Sequence, residues 1–298
     1  MELSSAIKDV LHFEGVVEPI LLGAGEDAYA FVFSDSEVIR IFPEASSDYV
    51  SELAGLYDHL RGHSFSFKCP RIYDVRTCKG IAYTIEARLP GRPMPEVCRN
   101  LDGSMRQQVL RNYLESIREL ATVEMNDCPF GGLIHSTIWL TGKTWEEFLR
   151  LQLEMSLRTI GSRLAGDFPG LHRSVSRLET MIDGPMRWER KSLVHGDVYP
   201  ENVLVADDGE VATVLDFGRH TLVGDPRLDI AIAIEFTEMA QGFVPEDTVF
   251  LREVSDGDPM TSNAYRAYAA ILLAAECSHD VRIVEKCLGS LRETFGRF

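Results

Sequence analysis

The stretch from Leu193 to Val205, LVHGDVYPENVLV, constrains the chain more than any other. An apolar, strand-like run breaks into His-Gly-Asp, passes Tyr-Pro-Glu-Asn and turns apolar again. Asp197 and Asn202 therefore sit on a short loop between hydrophobic flanks, which is how a rigid core presents polar groups. A few residues on, EVATVLDFG repeats the device, with a short apolar strand delivering a second carboxylate, Asp216.

The segments on either side differ in character. From Pro19, EPILLGAGEDAYAFVFSDSEVIRIF gives apolar runs broken by Gly-Ala-Gly and Ser-Asp-Ser, the pattern of two or three antiparallel strands. In SDYVSELAGLYDHLRG, Tyr49, Leu53, Leu56, Tyr57 and Leu60 fall at helical spacing, with a Ser or Asp cap before them and Gly62 after. RIYDVRTCKGIAYTIEARLPG predicts a hairpin turning at Lys79-Gly80 and closed by Pro90-Gly91. Beyond Gly91 the chain turns helical, in MRQQVLRNYLESIRELATV, in TWEEFLRLQLEMSLRTIGSRLA and again past Arg227. The expected fold class is α+β in two lobes. Residues 1–89 form a small antiparallel sheet with one helix, and residues 90–298 form a larger, mostly helical lobe that carries the loop.

Phosphoryl transfer from a nucleotide needs the inventory of that loop. One acceptor must orient and deprotonate the attacking hydroxyl, and hard oxygen ligands must hold Mg²⁺ across the phosphates. Asp197 is the expected base. Asn202, five positions after it, and Asp216 are the expected metal ligands. Taken alone, Asp197 would be a turn residue; the full set with Asp225 and Asp229 makes the functional reading.

HGDVYPENVLV followed by VLDFG resembles the catalytic and metal-binding loops of the aminoglycoside phosphotransferase family, a branch of the protein-kinase-like fold. GDPRLDIAI, with Asp225 and Asp229, is similar to the same family, and CPFGG followed by TWEEFL is similar to its hygromycin-type members. The resemblance implies ATP or GTP as donor, Asp229 as a brace of the catalytic loop and His195 as a scaffold residue. It makes LLGAGEDAYAFVF, with Gly25, the nucleotide loop of a 1–89 nucleotide-binding lobe. It puts Arg40 at the position of a phosphate-pairing lysine, with Glu52 of the next helix as its partner, and makes Glu86 and Ala87 the nucleotide-binding lobe junction. Arginine is a wide fork rather than a point charge, so its phosphate contact differs from that of lysine.

Composition sorts the partners. The 298 residues carry a formal net charge of -16 and a sequence pI of about 4.9. Such acidity disfavours duplex nucleic acid, whose binding rests on phosphate neutralisation, and suits a cationic small molecule drawn in by the field. It also serves simple solubility. Glu235, Glu238 and Glu276 on the C-terminal helices are the acids available to a substrate amine, or else a solvated face. No stretch approaches the ~20 apolar residues of a membrane span. The N-terminus lacks the apolar core of a secretory signal, and six scattered cysteines suit reduced thiols rather than zinc. A cytoplasmic monomer is the expectation.

Three functions compete. The first is a kinase that inactivates a cationic antibiotic, an aminoglycoside or a basic peptide. The second is a metabolic kinase for choline, a sugar or an amino alcohol. The third is a binding module or a protein kinase, disfavoured by the complete catalytic set, by Gly196 and by a span from Gly218 to Arg227 too short for an activation segment. Gly23-x-Gly25-x-x-Ala28 also fits a dinucleotide fingerprint, but that motif needs a helix next, and here the sequence alternates like a hairpin.

Overall fold

The structure, a computed structural model, describes residues 3–25, 27–135 and 140–297. It opens with helix α1 (Ser5–Phe13), capped by the Ser4 hydroxyl, which accepts from the Ile7 N–H. Five antiparallel strands follow: β1 (Leu21–Ala24), β2 (Tyr29–Val32), β3 (Glu37–Phe42), then after helix α2 (Ser47–Leu60) the hairpin β4 (Ile72–Cys78) and β5 (Ile81–Ala87). They lie in the order β1-β2-β3-β5-β4. The β4–β5 turn is Lys79-Gly80, both at positive φ (51° and 83°), the backbone a tight right-twisted hairpin requires.

Strand periodicity decides what this sheet does. Ile39 and Ile41 of β3, with Tyr83 and Ile85 of β5, point to one face, where Ile7, Val10 and Leu11 of α1 cover them. The residues between them, Arg40 and Phe42 on β3 and Thr84 and Glu86 on β5, therefore share the opposite face. That face turns toward α2, which buries Tyr49, Val50, Leu53, Leu56, Tyr57 and Leu60. A charged residue in the middle of an apolar strand is placed inward by the pleat alone.

The rest of the chain is helical around two small sheets. Strand β6 (Arg92–Pro93), short helix α3 (Met94–Cys98) and long helix α4 (Gly103–Leu120) lead to β7 (Phe130–Gly132) and β8 (Thr141–Gly142). Helices α5 (Trp145–Asp167) and α6 (Leu171–Ile182) come before strands β9 (Ser192–Val194), β10 (Val203–Val205), β11 (Val211–Val214) and β12 (Leu222–Gly224). Helices α7 (Arg227–Met239), α8 (Pro245–Val254), α9 (Pro259–Glu276) and α10 (Val281–Phe295) complete it, with α9 packed against α5, α7 and α10. The two strands that flank the key loop belong to different sheets. β9 pairs with β12 (Leu193 opposite Val223), while β10 pairs with β11 and β6. The loop is thus pinned at both ends by separate hydrogen-bonded frames. No helix among the described residues is long and apolar enough to cross a membrane.

Gly224, at the end of β12, lies against the Trp145 ring: a Cβ there would come within 2.1 Å of it. Trp145 is fully buried, and its indole N–H donates to the Tyr265 hydroxyl at 2.8 Å, so it cannot retreat without losing that bond. Gly224→Ala is expected to cost about 1–3 kcal/mol by overpacking. Gly289→Ala, on an exposed turn of α10 with nothing within 4 Å, should stabilise by roughly 0.5–1 kcal/mol. Denaturant midpoints of the two variants, measured at constant slope, check both signs.

Candidate active site

The loop between β9 and β10 is held by a buried carboxylate. Asp229, on the first turn of α7, accepts from the backbone N–H groups of His195 (2.7 Å) and Gly196 (2.8 Å) and is 1% exposed. Burial pushes its carboxyl up to about 7 even though both donors favour the ionised form. His195 is fully buried as well. Its Nε2 lies 2.8 Å from the Leu215 carbonyl and its Nδ1 accepts the Asp197 N–H at 3.2 Å, which fixes a neutral ring protonated on Nε2. Burial keeps it neutral by lowering its pKa to about 4. Gly196 between them has φ +77°, and a Cβ there would stand 1.8 Å from the His220 carbonyl oxygen. Only glycine fits the close approach.

This frame delivers Asp197 and Asn202 together. The loop closes in a 3-10 turn, Pro200–Asn202, and the Asn202 amide donates to both the carbonyl and Oδ2 of Asp197 at 3.1 Å. The Asn202 carbonyl in turn accepts the Leu215 N–H at 2.7 Å, so the β10–β11 ladder sets Asp216 next to the loop. Burial pushes the Asp197 carboxyl up to about 6. The charges of Asp216 and Glu276 reinforce that shift, while His220 and the Asn202 amide oppose it.

Asp216 stands at φ +60°, the left-handed region that aspartate tolerates better than most residues. It joins the loop to the five-stranded sheet, because its Oδ1 takes the Arg40 Nη2. Arg40 lies over the Phe42 ring at 5.2 Å and donates to the Tyr57 hydroxyl at 3.4 Å. Where the sequence suggests Glu52 as partner of Arg40, the structure gives Arg40 to Asp216; Glu52 is half-buried on α2. Glu86, opposite Val38 in the ladder, is buried, bonded to the Thr84 hydroxyl and shifted upward by that burial. The Ala87 N–H is already bonded to the Arg71 carbonyl at 2.9 Å. Gly25 is exposed in the β1–β2 turn, its N–H on the Ala28 carbonyl at 3.0 Å.

A second ion pair crosses the same seam and was not legible in the sequence. Arg219 pairs with Asp27 of the β1–β2 turn, its Nε 3.0 Å from Oδ2, and Tyr49 donates to that same oxygen at 3.3 Å. The partners are 192 positions apart and no periodicity links them. Beside Gly196 a partly open cavity of about 100 Å³ lies between β12, α5, α7 and α9. Glu235 and Glu276 are among its lining residues. Glu238 is not: it faces out and pairs with Arg252 at 3.1 Å.

The donor set fits a hard divalent cation. Asn202 spends its N–H hydrogens on Asp197, which leaves its carbonyl oxygen, and Asp216 carries a half-exposed carboxylate of which one oxygen is bound to Arg40. One amide and one carboxylate leave most coordination positions to phosphate oxygens and water. Among the described residues no group of three or more His, Cys, Asp or Glu is gathered for a metal.

Comparison with known proteins gives the arrangement its context. The profile of the phosphotransferase enzyme family matches residues 16–271. No curated protein sequence matches the chain. Among solved structures, the GDP and kanamycin complex of APH(2")-IIia is similar with a TM-score of 0.68 at 14% identity, over 96% of this chain and 99% of that one. The gentamicin-APH(2")-IIa complex gives 0.65 at 17%, over 99% of each chain. Macrolide 2'-phosphotransferase MphH from Brachybacterium faecium gives 0.61 at 17%, over 97% and 98%. At these identities the likeness is one of fold.

The brace at the root of the loop makes the first test of this geometry. Asp229→Asn keeps one acceptor oxygen but turns an N–H₂ toward the second backbone donor. It should destabilise by about 1–3 kcal/mol, the cost of a buried donor left without an acceptor. Chemical denaturation measures that loss.

Proposed function

We propose that this chain, which belongs to the phosphotransferase enzyme family, transfers the γ-phosphate of ATP or GTP to a hydroxyl of a small cationic molecule, in the manner of an antibiotic kinase. The observation that carries the reading is the convergence of Asp197, Asn202 and Asp216, with a guanidinium from the sheet on Asp216, next to a cavity that Gly196 of the same loop lines.

In this reading Asp197 accepts the proton of the acceptor hydroxyl as its oxygen attacks the γ-phosphorus. The bond from phosphorus to the β,γ-bridging oxygen breaks, and the nucleoside diphosphate leaves. The hydrogen bond from Asn202 holds the Asp197 carboxylate in one rotamer, and neutral His195 holds the Asp197 backbone. Asn202 and Asp216 would hold Mg²⁺, which when bound supplies charge neutralisation across the phosphates. Arg40 orients the phosphates from the sheet side and, through its bond to Asp216, keeps that carboxylate aimed at the seam. The β1–β2 turn with Gly25 closes over the nucleotide, and the chain at Glu86 and Ala87 borders the base. Residues 1–89 would then act as the nucleotide lobe and 90–298 as the acceptor lobe. Most of the acceleration is positional, since phosphoryl transfer asks little covalent chemistry of a protein.

A substrate panel in a coupled nucleoside-diphosphate assay tests the reading. Asp197→Ala should abolish turnover, a fall of at least about a hundredfold for a lost general base, with the denaturation midpoint kept. A variant that keeps wild-type kcat on the true acceptor would show that Asp197 is not the base. Asp216→Ala should abolish Mg²⁺-dependent nucleotide binding in calorimetry.

The pH profile gives an independent check. A carboxyl raised to about 6 is protonated below that pH and cannot accept the hydroxyl proton. Accordingly kcat/KM should be flat above pH 6 and fall about tenfold per unit below it. An acid limb centred near the ordinary aspartate value would place the titrating group elsewhere.

A further inference from the structure

The acceptor cavity is poor in usable negative charge, although the chain is strongly acidic. Its walls are Phe148 from α5, Leu228, Ile232 and Phe236 from α7, and Leu272 and Leu273 from α9. Two carboxylates line it among the described residues, and they are not equivalent. Glu235 is 1% exposed and its Oε1 is 2.6 Å from Nε of Arg266, itself 1% exposed and shared with Glu293, so its charge is countered within the core, although its buried Oε2 has no hydrogen-bond partner among the described residues. Glu276 remains at the rim, exposed, with Oε1 3.4 Å from Nδ1 of His220. Arg219, paired with Asp27, also borders the lining.

A polyamine entering this space would bring several ammonium groups to one accessible carboxylate of the lining, Glu276, beyond the Asp197 and Asp216 of the catalytic loop. The other ammonium groups would lose water without a partner, and a desolvated unpaired charge is costly. A large apolar surface, by contrast, gains from every side chain in the wall. Specificity then follows from what the cavity leaves unpaired as much as from what it contacts.

We propose that the acceptor is an amphiphile with a broad apolar body, one basic amine placed on Glu276 and a hydroxyl presented to Asp197, rather than a polycation. The inference rests on the reading of this site as a phosphotransferase centre. Within it, the apolar body lies along Ile232, Phe236 and Leu273, and the amine at the rim fixes which hydroxyl reaches the base. Glu235, tied to Arg266, belongs to the cavity floor, and Glu276 carries the accessible charge.

Binding and turnover separate the two levels of the argument. The full chain with Mg²⁺ and nucleotide would be titrated in a calorimeter with erythromycin, with a dodecyl amino alcohol and with kanamycin. Both amphiphiles carry a single amine, and kanamycin carries several. At least one amphiphile should bind about tenfold or more tighter than kanamycin. Leu273→Glu, which removes apolar wall and adds a carboxylate, should narrow that ratio by about tenfold. Nucleotide affinity in the same variant reports that it is folded. Kanamycin binding as well as or better than both amphiphiles overturns the proposal, as does neither amphiphile binding while nucleotide does. An unchanged ratio in folded Leu273→Glu also overturns it. An amphiphile that binds yet gives no nucleoside diphosphate supports the cavity's class and instead overturns the catalytic reading.

Discussion

Everything at the site depends on one buried carboxylate meeting two backbone N–H groups. Asp229 gathers the amides of His195 and Gly196 at the point where the chain leaves β9. A loop cannot fold inward without partners for its donors, and here the partner comes from the first turn of the next long helix. With that knot tied, the His195 ring fills the space under Phe217, centroids 4.4 Å apart, and reaches the Leu215 carbonyl. The ring therefore links the loop to the segment that presents Asp216. Glycine at 196 follows from the same knot, since the turn it makes runs against the His220 carbonyl.

The second level of order is the seam between the five-stranded sheet and the loop. Arg40 is placed inward by strand alternation, and a buried guanidinium demands a carboxylate. Asp216 satisfies it from one side and the Tyr57 hydroxyl from another. Tyr57 also donates to the Phe217 carbonyl at 3.3 Å, which holds the residue after Asp216. A parallel arrangement of Arg219, Asp27 and Tyr49 ties the β1–β2 turn to the residues just beyond Gly218. Two arginine–aspartate pairs, each with a tyrosine of α2, thus run across one boundary.

What the sequence disclosed and what it hid divide along contact range. Most strands and helices and the Lys79-Gly80 turn were legible because periodicity and turn chemistry act over a few residues; helix α1 was not, so the described part of residues 1–89 holds two helices where the sequence suggested one. Asp197 and Asn202 were legible because five positions suffice to bring them into one turn. The partner of Arg40 was not, for the nearest acid on the following helix looks best in one dimension and Asp216 only in three. Glu235, Glu238 and Glu276 read alike as acids on helices. Packing makes the first a core ion pair with Arg266, the second an outer partner of Arg252 and the third a rim residue. That β9 and β10 would join different sheets was equally hidden, because each is three residues long and its partners lie elsewhere.

A chain of formal charge -16 that takes a nucleotide triphosphate must solve an electrostatic problem, since its average field repels the donor and attracts a cation. The proposed reading resolves it by segregation rather than by net charge. Arg40 and Arg219 stand at the seam where phosphates would lie, each held in place by an aspartate. Pairing costs them little as phosphate ligands, because a guanidinium has five N–H donors and a carboxylate uses only some. The acids of the acceptor side are treated in the opposite way: Glu235 is tied to Arg266, and the accessible charge is left at the rim with Glu276. The surface field can then gather cations over long range while the cavity selects among them by apolar contact, and the two tasks are kept on different residues.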